Sequence, residues 1–126
     1  MLLLDTHALL WWLADDPALS PAARTAIAAG QTQVFVSAAS ALEMSIKSAQ
    51  GRLDIPDDLE AELTTHRFQP LPITVVHALV AGRLPRHHGD PFDRMLIAQA
   101  KSEGLTLMTA DRTFKRYDVD ILWSGR

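Results

Sequence analysis

The 126-residue chain contains no cysteine, which excludes disulfides and thiolate metal sites and leaves oxygen or imidazole as the metal donors. No stretch approaches the roughly 20 apolar residues of a membrane-spanning helix. The opening Met1-Leu2-Leu3-Leu4 has no basic segment and is cut short by Asp5, so it does not read as a signal peptide. The expected location is therefore the cytoplasm, with no membrane partner. Positive charge is scarce: 12 Lys and Arg stand against 15 Asp and Glu, a formal net charge of −3. That balance argues against a whole-surface grip on nucleic acid and leaves room for a local one. No internal repeat, low-complexity tract or linker divides the chain. With 48% hydrophobic and 21% charged residues, the chain can bury a sizeable core, and its length predicts one domain over residues 1–126.

Short apolar runs alternate with helical stripes. Strands are predicted at residues 2–4, 34–36, 105–108 and 119–122, with a further extended piece at 71–73. An apolar helical stripe over residues 6–14 is stopped by Asp15-Asp16-Pro17. Ser20-Pro21 opens a second helix, which Gly30 closes, and Ser37 begins a third that runs to Gly51. Helices are also predicted over 57–67 and from Thr74 to Gly82, with a loop over 83–89. The best-marked helix starts at Asp90-Pro91 and ends at Gly104, and residues 111–116 form a short helical turn. Strands alternating with helices predict an α/β fold, a parallel sheet covered on both faces.

Four acids fall where such a sheet binds ligands, beyond the carboxyl ends of its strands. Asp5 ends the first strand, Glu43 lies in the helix after the second, Asp93 is in the first turn of the Pro91 helix, and Asp111 follows the 105–108 strand. Clustered carboxylates repel one another unless a cation neutralises them, and an oxygen-only set selects hard ions such as Mg²⁺ or Mn²⁺. Ions held this way suit phosphodiester hydrolysis. Each acid also has a plain structural reading. Ser40-Ala41-Leu42-Glu43 fits a capping box, Asp90 before Pro91 fits an N-cap, and Asp93 suits the positive end of its helix dipole. Asp5 and Asp111 fit N-caps as well. Spacing alone reaches an α/β domain with a possible acidic metal site.

The residues around the acids carry more. Leu3-Leu4-Asp5-Thr6-His7-Ala8-Leu9-Leu10-Trp11-Trp12-Leu13 resembles the opening of PIN-domain toxins of the VapC type. Val36-Ser37-Ala38-Ala39-Ser40-Ala41-Leu42-Glu43 is similar to their second acidic motif. His88-Gly89-Asp90-Pro91-Phe92-Asp93-Arg94-Met95-Leu96-Ile97-Ala98-Gln99-Ala100 resembles the third, and Leu107-Met108-Thr109-Ala110-Asp111 the fourth. The four motifs occur in order, cover essentially the whole chain, and keep every acidic position. The resemblance implies a PIN-like three-layer α/β/α fold and an endoribonuclease dependent on Mg²⁺, with Mn²⁺ as substitute. It further implies toxin duty in a bacterial type II toxin–antitoxin pair.

Carried over by position, the metal site would be Asp5, Glu43, Asp93 and Asp111, with Thr109 positioning a water or ligand. Thr6 is a weaker candidate, and Asp90 is read first as an N-cap. Water activated by the ion would attack phosphorus in line, leaving 5′-phosphate and 3′-hydroxyl ends. The implied partners are an RNA substrate, a small VapB-like antitoxin whose arginine enters the acidic pocket, and a second copy of the chain in a homodimer.

Histidines 7 and 88 stand near motifs and read as packing or hydrogen-bonding residues rather than ligands, while His87-His88 offers a possible RNA contact. Arg83, Arg86 and Arg94 flank the third motif and Arg112, Lys115 and Arg116 the fourth. Most of these read as solvated surface, with Arg94 placed to pair with an acid. Trp11 and Trp12 cannot share one helix face, so one is expected in the core and the other at an interface. Three rivals remain at this point. Asp5-Thr6-His7 faintly resembles the first motif of haloacid-dehalogenase-type phosphatases, except that their second aspartate is His7 here. The others are a housekeeping RNA-processing nuclease and a noncatalytic binding module with the same fold.

Overall fold

The structure is a computed structural model covering residues 1–126. It contains β1 (Leu2–Leu4), α1 (Thr6–Leu13), α2 (Pro21–Ala28), β2 (Val34–Ser37), α3 (Ala38–Ala49) and α4 (Leu59–Thr65). Then follow β3 (Gln69–Leu71), α5 (Val75–Arg83), α6 (Pro91–Glu103), β4 (Thr106–Thr109), a 3₁₀ turn at Arg112–Arg116, and β5 (Ile121–Trp123). All strand pairs are parallel, and the sheet order is β3-β2-β1-β4-β5. Parallel neighbours need long crossovers, and the helices supply them.

Alternation along β1 splits the core in two. Leu2 and Leu4 join Leu9, Ile27, Met44 and Leu63, the layer built by α1 to α4. Leu3 points the other way, onto Leu96, Ile97, Leu107 and Phe114, the layer built by α5, α6 and the 3₁₀ turn. One strand thus feeds both layers because successive side chains face opposite sides of the sheet. The α/β/α expectation is met.

Several boundaries moved by one or two residues, among them β4 at Thr106–Thr109 against 105–108, β5 at Ile121–Trp123 against 119–122 and α4 at Leu59–Thr65 against 57–67. The third strand covers Gln69–Leu71 rather than 71–73. Pro70 sits inside it, tolerated because β3 is the sheet edge and bonds only to β2. Helix α3 is capped by Ser37, whose side chain accepts from the Ala39 N–H, so Ser40 lies inside the helix. The Ser40–Glu43 capping box therefore does not form. Helix α6 matches its sequence marks: Asp90 caps it, Pro91 occupies its first turn, and Gly104 closes it at φ 66°, a left-handed conformation that glycine adopts without strain.

Candidate active site

From β1 the chain steps outward to β2 and β3, then returns to place β4 and β5 on the other flank. Loops leaving β1 and β4 therefore diverge, and a crevice opens between them at the carboxyl edge of the sheet. Asp5 leaves β1 and Asp111 leaves β4 on either side of it. The backbone fixes that neighbourhood, since the Asp5 N–H donates to the Met108 carbonyl at 2.9 Å.

Asp5 is only 5% exposed, and its Oδ1 accepts from the Ala8 N–H at 2.8 Å, capping α1. The N-cap reading thus holds, and capping engages Oδ1 while leaving Oδ2 outside that bond. Burial pushes the Asp5 carboxyl up from the usual carboxylate range. The Ala8 N–H, the Thr109 hydroxyl and the His7 charge oppose that rise, and the nearby Asp111 charge adds to it. Thr109 is fully buried at the end of β4, where its Oγ1 accepts from the Asp111 N–H at 3.0 Å. Asp111 is exposed and caps the 3₁₀ turn, accepting from the Thr113 N–H at 2.9 Å.

Glu43 reaches the crevice from the inner side of α3. Its Oε1 accepts from Thr6 Oγ1 at 2.7 Å, and its Oε2 pairs with Lys47 Nζ at 2.8 Å, one turn further along the helix. Ser40 Oγ lies 3.1 Å from the Thr6 hydroxyl. Burial acts to raise the Glu43 carboxyl, but the hydrogen bonds from Lys47 and Thr6, with the Lys47 charge, outweigh it and hold the group below its ordinary value. Lys47 escaped the sequence reading, and Ser40, read there as a helix cap, instead meets Thr6. The i, i+4 spacing of Glu43 and Lys47 on a helix was the available signal for the lysine.

Asp93 is the least compensated of the four. Burial raises its carboxyl, and the charges of Asp90, Glu43, Asp111 and Asp5 raise it further, to about 7. Acids from four separate motifs thus sense one another at one point. Asp90 itself is the N-cap expected, accepting from the Phe92 and Asp93 N–H groups.

The fit to a divalent ion rests on this donor chemistry. Oxygen-only ligands that destabilise one another's charge suit a hard cation. No three acidic or imidazole side chains already stand close enough to share an ion. The bonds just described explain that spacing: Glu43 is held by Thr6 and Lys47, while Asp5 and Asp111 are each turned toward a cap.

Several other candidates fall elsewhere. Arg94 does not pair with an acid. Its guanidinium donates to the carbonyls of Ala81, Leu84 and Pro85 at 2.9–3.0 Å, tying the end of α5 to the following loop. The carbonyl-rich end of a helix attracts a cation, which explains the choice. Trp12 packs inward, its Nε1 donating to His66 Nδ1 at 3.2 Å, whereas Trp11 lines a cleft with His7, Leu10, Leu13, Leu53 and Pro56. His87 and the basic residues Arg83, Arg86, Arg112, Lys115 and Arg116 are exposed, with Lys115 Nζ 4.9 Å from the Trp123 ring.

Residues 2–120 match the sequence model of the PIN domain. The chain belongs to the PIN-domain family. It is 33% identical over 118 residues to Ribonuclease VapC22 of Mycobacterium tuberculosis, covering 91% of this chain and 90% of that protein. Among solved structures, this PIN domain is similar to the VapBC2 complex of Rickettsia felis bound to a promoter DNA fragment. The TM-score is 0.74 at 15% identity, over 98% of each chain. It is also similar to DNA-bound VapBC of Salmonella typhimurium, with TM-score 0.72 at 20% identity over 97% of this chain and 96% of that one. At such identities the structural likeness speaks for the fold.

Proposed function

We propose that this PIN domain is an endoribonuclease, the toxin of a bacterial type II toxin–antitoxin pair, acting in the cytoplasm as one nuclease domain over residues 1–126. The observation that carries the reading is the convergence of the motif acids on Asp93, whose carboxyl is raised by burial and by the charges of Glu43, Asp111 and Asp5. Kinship with a protein named as a ribonuclease supplies the substrate class. No helix of the structure is long and apolar enough to cross a membrane.

In this reading Asp5, Glu43, Asp93 and Asp111 hold Mg²⁺, with Mn²⁺ as substitute. A bound ion supplies charge neutralisation for the phosphate and a lowered pKa for a coordinated water. The protein's own work is positional. Thr6 and Lys47 hold Glu43 ionised, the α1 cap fixes one oxygen of Asp5, and Thr109 braces both Asp5 and the backbone of Asp111. Exposed Arg86 and Arg112 would meet RNA phosphates on the rim.

An uncompensated acidic crevice also fits a guanidinium from a VapB-like antitoxin. The cleft of about 420 Å³ along Trp11 and Leu53, with His7 in its wall, offers that partner an apolar bed. Self-association as a homodimer is supported by exposed apolar side chains on two helices, Leu42 and Ile46 on α3 and Val75 and Leu79 on α5.

The test is incubation of total bacterial RNA with purified, antitoxin-free protein in Mn²⁺, in EDTA, and with Asp93→Asn as control. Fragments with 5′-phosphate ends that need metal and vanish in the variant are expected. Folded protein that cuts nothing under any condition would leave the fold without this activity.

A further inference from the structure

His88 stands in the loop before α6, between the third acidic motif and the last layer of the core. Its Nδ1 lies 2.7 Å from the Tyr117 hydroxyl. Its Nε2 is buried without a formed hydrogen bond, and the Asp93 carboxylate, 3.5 Å away at Oδ2, is the acid it faces. A buried polar nitrogen without a partner calls for an explanation. The aromatic surroundings hold the ring in this orientation: Phe114 lies edge-on at 6.1 Å, and Tyr117 is tilted at 5.5 Å.

The direction of the chain of contacts follows from donor inventory. Arg94 has only donors, and its Nη1 lies 3.5 Å from the Tyr117 oxygen. With that oxygen accepting from the guanidinium, the Tyr117 hydroxyl proton is free to point at His88 Nδ1. An Nδ1 that accepts makes Nε2 the protonated nitrogen of a neutral imidazole. The N–H then aims at Asp93. The opposite tautomer would leave Nε2 with no hydrogen to offer the Asp93 carboxylate.

We propose that His88 is a positioning residue: its Nε2–H, set by Tyr117 and Arg94, holds one oxygen of Asp93 and turns the other toward the crevice. The inference rests on the proposed metal site. It also accounts for an arginine directly after Asp93 that touches no acid: Arg94 reaches its neighbour's carboxylate through two intervening side chains. Such outer partners orient ligands, and their loss typically weakens metal affinity about 10- to 100-fold. At 3.5 Å the contact is long, and catalytic-site bonds commonly tighten only when the site is filled.

The experiment measures Mn²⁺ affinity by the paramagnetic signal of the free ion, in native protein and in His88→Gln, His88→Asn and Tyr117→Phe. The amide nitrogen of glutamine falls near Nε2, whereas that of asparagine falls near Nδ1. Expected are near-native affinity in H88Q and a loss of about tenfold or more in H88N, with Y117F between them. Thermal melts in EDTA report the purely structural cost of each change. H88Q and H88N equally weakened, or H88N binding as tightly as native, would overturn the positioning role. Native protein that binds no Mn²⁺ would overturn the metal reading itself, and this inference with it.

Discussion

Two polar clusters lie toward opposite ends of α6, and they are built on opposite principles. At the seam with α5, His77 is 1% exposed, yet nearly every polar atom near it is answered. Its backbone N–H donates to the Thr74 hydroxyl, its Nδ1 accepts from the Thr74 N–H at 3.1 Å, and its Nε2 meets Glu103 Oε1 at 2.8 Å. Only the Gln99 amide oxygen beside it has no partner. In the crevice, by contrast, Asp93 is surrounded by charges of its own sign. Burial at the seam is stabilising because the partners complement each other, and burial in the crevice is costly because they do not. An arrangement that costs stability and is built from four separate motifs is where function is to be sought.

The largest contrast is expected from neutralising one carboxylate on each side. Asp93→Asn should lower RNA cleavage about a hundredfold or more, while raising the melting temperature of metal-free protein at pH 7.5. Glu103→Gln should leave cleavage within about twofold and lower stability by about 1 kcal/mol, the value of a charged hydrogen bond that is partly exposed. Paired melts and cleavage rates decide it. A destabilised Asp93→Asn, or a seam variant that loses activity, would erase the distinction between the two clusters.

A second measure uses pH. Asp93 sits at about 7 in the folded protein, raised from an ordinary 3.8. Between those values the folded state holds a proton that the unfolded state has released, so stability falls as pH rises through that window. The contribution is greatest at the acid end and gone above about pH 7. Allowing for partial solvent access, it amounts to roughly 1–2 kcal/mol. Denaturant titrations in EDTA at pH 5 and 7.5, with Asp93→Asn subtracted, isolate it. A native-minus-variant difference that does not change with pH would mean the acids do not couple as described. Divalent metal should restore the lost stability. At ten times its dissociation constant it adds about 1.4 kcal/mol, and the gain should be larger at pH 7.5 than at pH 5.

The two clusters also differ in how far the sequence foretold them. Asp5, Glu43, Asp93 and Asp111 were legible because each sits at a strand end or in a helix marked by apolar periodicity, within a recognisable motif. The β1–β4 switch point then needs only strand order to bring them together. The partners were harder to see. Tyr117 lies 24 residues beyond Asp93, in a stretch whose polar residues read as surface, and nothing local tells that its hydroxyl meets His88. Arg94 was read toward the wrong partner because adjacency to an acid outweighed the pull of the carbonyls closing α5. Ser37, directly after an apolar run, took the cap that Ser40 and Glu43 were suited to by spacing, since the strand ends where α3 must begin. Strand ends and helix periods are local facts, whereas these contacts depend on crossovers that bring distant segments together.

Lys47 gives the smallest effect and the finest test. It answers Glu43 as Glu103 answers His77, so one acid of the crevice follows the rule of the seam. The Lys47 side chain is 33% exposed, and an i, i+4 pair with glutamate first is worth about 0.3–0.5 kcal/mol. Lys47→Gln should therefore cost metal-free protein only about that much at pH 7. Because the pair holds Glu43 below its ordinary 4.5, its contribution is present above that pH and is lost as pH falls through the lower folded value. As pH falls through that range the native and variant melting temperatures should converge. With metal the order reverses: the ammonium occupies Glu43 Oε2 and opposes an arriving cation, so Lys47→Gln should bind Mn²⁺ more tightly, by about twofold on the strength of such a pair. A variant that binds metal less tightly than native would show Lys47 to be a support of the ligand set, and Glu43 would then belong with its fellow acids only when the lysine stays in place.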